Sequence, residues 1–248
     1  MNGHPLLEAR EVTVRFGGLT AVDKVSAAFA PGELVGIIGP NGAGKTTFFN
    51  ALSGVIVPTG GELFASGKRL TGSQPHHYAQ QGIARTFQTP RVFAELSVAA
   101  NIDFGLNFAG RHRTASWLLK DEASILHLIG LAAQAALPAA AITPSQQRLL
   151  EIGMALATRP KLLLLDEVAA GLTENEVEAM AQLIRRLRDE LDLTVIWIEH
   201  AVTTLLQYVE RVIVLHQGRK IADGLPSEVV RNAEVIEAYL GDEMVEAV

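Results

Sequence analysis

The chain has 248 residues, of which 48% are hydrophobic and 19% charged, with a formal net charge of −6 and no cysteine. That length and balance suit one large α/β domain with a sizeable core and exclude disordered and collagen-like classes. The acidic charge argues against a primary role on nucleic-acid phosphates, and the missing cysteine removes disulfides, thiol nucleophiles, thiolate zinc sites and iron–sulfur clusters.

The first ten residues lack a basic start followed by an apolar core, so no signal peptide is expected. Leu6 to Phe16 partly alternates apolar and polar residues, the pattern of a half-exposed strand. Four later runs are continuously apolar: Leu34–Ile38, Leu162–Leu165, Val195–Ile198 and Val212–Leu215. Such runs predict strands buried on both faces, as in a parallel sheet covered by helices. Thr47 to Ser53, just beyond the first of them, reads as a helix. From about Phe87 to Pro144 the sequence turns Ala-rich and helical in pattern, and carries a basic tripeptide, Arg111-His112-Arg113, that reads as a solvated loop.

Ala123 to Gln147 contains no Asp, Glu, Lys or Arg, a length that could cross a bilayer. It is largely Ala and is broken at Pro138 and Pro144, and Ala drives insertion weakly, so a helix and loop are predicted there instead. Thr173-x-x-Glu176 forms a capping box opening an amphipathic helix to about Leu191. Pro226-Ser227-Glu228 opens a last helix running to about Leu240. His4, His76, His77, His112, His127 and His216 have no chemical context and read as structural.

Gly39-Pro40-Asn41-Gly42-Ala43-Gly44-Lys45-Thr46 satisfies G-x-x-x-x-G-K-[ST], a P-loop, and lies between a buried strand and a helix as that motif requires. Glycines let backbone N–H groups approach phosphate oxygens, and the following helix, from Thr47, points its positive end at the same anion. Lys45 is expected to bridge the β- and γ-phosphates and the Thr46 hydroxyl to ligate Mg²⁺. Far along the chain Asp166 and Glu167 end an apolar strand, where one acid can hold Mg²⁺ and its neighbour can orient a water toward the γ-phosphate.

With these two landmarks in place, the sequence resembles the nucleotide-binding subunits of ABC transporters along nearly its whole length. Three further residues fall in family order. Gln88, in RTFQ, is similar to the family's glutamine that reaches Mg²⁺ and the attacking water, and that connects the nucleotide to a helical subdomain. His200, in WIEH, is similar to the switch histidine at the γ-phosphate, and Phe16 sits where the family stacks an aromatic ring on adenine. RFGGLTAV, GIARTFQTPRVF, LLLLDEVAAGL and EVIEAYLG resemble the ATPases of branched-chain amino-acid uptake systems.

The resemblance implies an α/β fold: a P-loop NTPase core with a mainly parallel buried sheet, an antiparallel β subdomain on the N-terminal side and an inserted α-helical subdomain. Residues 1–248 would form a single nucleotide-binding domain, with 1–87 and 147–248 as the core and 88–146 as the helical subdomain. It also implies ATP and Mg²⁺ as ligands and Glu167, His200 and Gln88 as catalytic residues, with Thr46, Gln88 and Asp166 at the metal. The partners implied are a second ATPase chain, two membrane permease subunits and, indirectly, an external binding protein, but no nucleic acid. A heterodimer is expected, a homodimer being the alternative. The place implied is the cytoplasm, peripheral on the inner face of the cell membrane.

The family's signature, usually L-S-G/Y-G-Q, completes the opposing subunit's site; here it reads Ile142-Thr143-Pro144-Ser145-Gln146. Ser145 replaces the glycine that lets the γ-phosphate approach, and Pro144 has no N–H to donate. Thr143, Ser145 and Gln146 are the residues that would face the partner's nucleotide. Thr143 suits an N-cap, Pro144 a first helical position and Gln146 the return half of a capping box, which would occupy the Thr143 hydroxyl within its own helix. An asymmetric pair of composite sites is expected, one of them weak. Val168 stands in place of the usual proline and Thr173 in place of Asp or Asn, which puts the contact made across the dimer by that loop in question.

Rival readings fit less. A GTPase needs an N-K-x-D motif, which is absent, and small-molecule kinases carry lid arginines instead of a distant Asp-Glu and His. Repair ATPases insert coiled coils longer than the 57 residues between Gln88 and Gln146. Translation factors of the family join two cassettes. A non-transport ATPase or a regulatory nucleotide-binding module is the remaining alternative.

Overall fold

Strands β3 (Leu34–Ile38), β7 (Leu162–Asp166) and β8 (Thr194–Ile198) are buried at every residue, as continuous apolar runs require. They belong to a six-stranded sheet in the order β10-β9-β3-β8-β7-β6, completed by β6 (Ile83–Arg85), β9 (Arg211–His216) and β10 (Arg219–Gly224). All pairs in it are parallel except β9–β10, a hairpin closed by Gln217-Gly218. A separate antiparallel sheet has the order β2-β1-β4-β5, built from β1 (Leu7–Phe16), β2 (Leu19–Phe29), β4 (Gly60–Ala65) and β5 (Lys68–Arg69). The computed structural model describes residues 4–108, 119, 121–199 and 202–245, so His200 and Arg111–Arg113 lie outside the described residues.

Alternate residues of the central strands feed two cores. Val35, Ile37, Leu162, Leu164, Ile196 and Ile198 pack with the antiparallel sheet and with Phe48, Phe49 and Leu52 of helix α1 (Lys45–Leu52). Leu34, Ile38, Leu163, Leu165, Val195 and Trp197 pack against helices on the other face. Each such side chain contributes about 1.5–3 kcal/mol relative to exposure.

The helices in chain order after α1 are α2 (Pro75–Gln80), α3 (Val98–Phe108), α4 (Glu122–Leu128), α5 (Pro144–Ala157), α6 (Glu174–Leu191), α7 (Val202–Tyr208), α8 (Pro226–Val229) and α9 (Ala233–Val245). Helices α3, α4 and α5 pack on one another. The charge-free stretch is α4, two 3₁₀ turns at 132–134 and 139–141, and the start of α5. Among the described residues no helix is long and apolar enough to cross a membrane.

The last predicted helix is two helices. Asn232 interrupts it, its side-chain oxygen accepting from the N–H of Glu234 at 2.9 Å, an N-cap that starts α9 afresh. The helix after the glycine-rich loop begins at Lys45, two residues before the expected Thr47.

Candidate functional site

The loop 39–44 leaves the carboxyl end of β3, which lies between its sheet neighbours β8 and β9. Open parallel sheets bind ligands at such a place. Two glycines there admit no side chain. A Cβ at Gly39 (φ 152°) would lie 2.1 Å from the Leu215 carbonyl oxygen, and one at Gly44 (φ 95°) 2.3 Å from that of Ala21. The loop is thus clasped between β9 and β2, and the Gly218 N–H donates to the Ala43 carbonyl at 3.0 Å.

Helix α1 has no side-chain cap and no acid in its first turn, so its first N–H groups and its dipole are directed at the cleft ahead of it. Lys45 is buried, and its ammonium donates to the carbonyls of Gly39 at 2.6 Å and Pro40 at 3.0 Å. Burial lowers its pKa, opposed by the charges of Glu167 and Asp166.

A cleft of about 650 Å³ opens over this loop, lined by Asn41 through Thr47, by Phe16, Leu19, Thr20 and Ala21, and by Glu167, Gln217 and Gly218. Phe16 is 51% exposed at the end of β1, offering a free aromatic face at the edge of the cleft.

Asp166 and Glu167 are 2% and 6% exposed. Glu167 sits at φ +50°, a left-handed conformation costly for a side chain with a Cβ, and the chain turns sharply there. Its N–H donates to Ile198 and its carbonyl accepts from the Arg148 guanidinium at 2.6 Å. The Gln88 amide donates to the Glu167 carboxylate at 2.7 Å, across 79 residues of sequence. Asp166 meets the Arg85 guanidinium at 3.5 Å, and its N–H donates to the Thr86 hydroxyl.

Gln88, Asp166, Glu167, Phe16 and the loop from Gly39 to Thr47 therefore converge. Thr143, Ser145 and Gln146 do not join them: they lie on a second cleft with Leu128, Leu172, Glu176 and Arg186. Thr143 caps α5 in a full capping box with Gln146, and its hydroxyl lies 2.9 Å from that of Ser145. Pro144 occupies the first helical position.

Several residues near the site carry no motif. Glu199 is buried and accepts from the Ala169 N–H at 2.7 Å and the Trp197 indole at 3.1 Å, fixing the loop after Glu167. Its signal was in the sequence, an acid closing an apolar strand as Asp166 does. Gln217-Gly218 is a turn dipeptide between two strands, yet only folding brings it to the cleft. Arg85, Arg148 and Glu151 had no signal beyond charge among apolar neighbours.

The donors suit a hard cation. A hydroxyl at Thr46, the Asp166 carboxylate and an amide at Gln88 are oxygen ligands, and Mg²⁺ needs only one or two from protein when phosphates and waters complete its shell. A glycine cradle, a buried lysine and two strand-end acids across a parallel sheet define a P-loop nucleotide-binding protein.

Residues 22–170 match the ABC transporter family, and residues 219–245 match the branched-chain amino acid ATP-binding cassette transporter family. The chain belongs to the ABC transporter family. It is 38% identical to the high-affinity branched-chain amino acid transport ATP-binding protein BraF of Pseudomonas aeruginosa, covering 96% of this chain and 98% of that one. It is equally 38% identical to LivG of Escherichia coli, with the same coverage. A solved ATP-binding cassette of an ABC transporter in its ADP conformation superposes with a TM-score of 0.83 at 29% identity, covering 95% of this chain and 98% of the other.

Proposed function

We propose that this chain is the ATP-hydrolysing subunit of a membrane importer for branched-chain or other hydrophobic amino acids or related small amides. The observation that carries the hydrolytic part is the Gln88–Glu167 contact at 2.7 Å on the rim of the cleft that Lys45 shares. The cargo class rests on likeness to BraF and LivG along nearly the whole chain.

Phe16 stacks on adenine, and the loop N–H groups with Lys45 hold the phosphates. Glu167 accepts a proton from the water attacking the γ-phosphate, Gln88 orients that water, and His200 supports the charge that develops on the phosphate. Thr46, Asp166 and Gln88 would hold Mg²⁺, which when bound neutralises charge on the β- and γ-phosphate oxygens. Glu167→Gln should leave nucleotide affinity intact and cut turnover at least a hundredfold, the range of a lost general base. Unchanged turnover in steady-state assays would instead favour a regulatory module.

The working unit is a dimer of cassettes on two permease subunits at the inner membrane face, fed by an external binding protein. Residues 88–146 form the helical subdomain between the core halves 1–87 and 147–248. The segment 142–146 faces the nucleotide of a second ATPase chain. Because Thr143 is engaged in its own capping box, Pro144 lacks an N–H and Ser145 carries a side chain, that composite site turns over slowly while this chain's own site hydrolyses. Pro144→Gly with Ser145→Gly should raise turnover of the assembled heterodimer. No gain, with nucleotide trapped equally at both sites, would remove the asymmetry.

A further inference from the structure

Helix α5 touches Glu167 and the segment around Gln88 from two positions one turn apart. Arg148 donates to the Glu167 carbonyl at 2.6 Å. Three residues on, the buried Glu151 carboxylate accepts from the N–H of Phe87, at 3.3 Å to each oxygen, and from the N–H of Arg91 at 3.0 Å. Residues i and i+3 of a helix share a face, so one face of α5 reaches both Glu167 and the chain on either side of Gln88.

Residues 87–91 are neither helix nor strand, and Pro90 has no N–H. Two backbone donors of this segment therefore go to a buried side chain from another element, a pairing that is costly to lose. Gln88 lies between them.

We propose that Glu151 is the positioning residue for Gln88: its carboxylate holds the chain on both sides of Gln88 and so sets the reach of the Gln88 amide to Glu167. The inference rests on Gln88 and Glu167 being the hydrolytic pair. Glu151 touches neither nucleotide nor water; it acts through the backbone of Phe87 and Arg91. Burial raises its pKa to about 7, against the two N–H donors and the nearby charges of Arg148 on α5 and Arg85 on β6. A carboxyl kept buried at that cost has a positional reason to be there. An apolar residue would fill the space but leave both donors unpaired.

The test uses the full chain with Glu151→Gln, nearly the same size and neutral, and Glu151→Asp, which keeps charge but loses reach. Amide hydrogen exchange at Phe87 and Arg91, steady-state ATPase and equilibrium ATP titration are measured for each. Expected in both variants are faster exchange at those two amides and kcat lower by about tenfold or more, the scale of a misplaced positioning group. ATP affinity should stay within about twofold, because Lys45 and the loop are untouched.

In a Gln88→Ala background, Glu151→Gln should lower kcat no further, since residues acting as a unit are not additive. Unchanged exchange and kcat in a folded variant would overturn the proposal. So would a full additional loss on top of Gln88→Ala, or a kcat loss matched by loss of ATP affinity. Where Glu151→Gln does not fold, Glu151→Asp is read by the same criteria. If turnover of the natural chain proves insensitive to Glu167→Gln, the hydrolytic reading fails, while amide exchange still decides whether Glu151 holds the segment.

Discussion

At Glu167 the backbone adopts φ +50° and the carboxylate meets Gln88, so conformational cost and chemistry fall on the same residue. Strain of this kind persists only where the surroundings enforce it, here through the hydrogen bonds to Ile198 and Arg148 and through Glu199 holding Ala169. Lys45 is the other decisive residue. Its ammonium is buried among loop carbonyls, and Lys45→Ala should weaken ATP binding about 10- to 100-fold, the value of charge-assisted hydrogen bonds, in an equilibrium titration. Gly39→Ala should abolish binding in the same titration, because its Cβ would lie 2.1 Å from the Leu215 carbonyl oxygen, a backbone contact that only a shift of the loop or of β9 could relieve.

Among the elements, α5 is read from both ends. Its start was legible: Thr143, Pro144 and Gln146 spell a capping box, and both halves of that box are formed. Thr143→Ala should cost about 1 kcal/mol. In a chain of this length that lowers the thermal midpoint by about 2–4 °C, which calorimetry would detect. Its far side was not legible, since Arg148 and Glu151 find partners 19 and 60 or more residues away. The capping box of α6 was equally plain, and Thr173 and Glu176 form it. The sequence reads α8 and α9 as one helix because Asn232 is an ordinary residue on a helical pattern until its side chain turns back as a cap.

For the whole molecule, the parallel sheet buries strands on both faces and gathers four distant segments at its carboxyl edge. The carboxyl of Glu151 ties this architecture to pH. In the unfolded chain it ionises in the ordinary range near 4.5, whereas in the fold burial raises it to about 7. A raised pKa contributes stability that is fully present below the unfolded value and is lost as pH rises through the folded one. Glu151→Gln carries no such dependence. In denaturant unfolding the stability of the variant relative to the natural chain should therefore rise between about pH 4.5 and 7. A difference independent of pH would contradict the shift.

The P-loop, the strand-end acids and the buried parallel strands are legible in the sequence, because each is a local pattern: a spacing of glycines and lysine, or an unbroken apolar run. The resemblance placed Phe16, Gln88 and the altered segment 142–146 in order along the chain. That Gln88 reaches Glu167, that Gln217 and Gly218 border the cleft, and that Glu151 bonds the chain on both sides of Gln88 emerge only on folding. Those contacts join residues far apart in sequence. They depend on the crossover order of the sheet and the lie of α5, which no local pattern records.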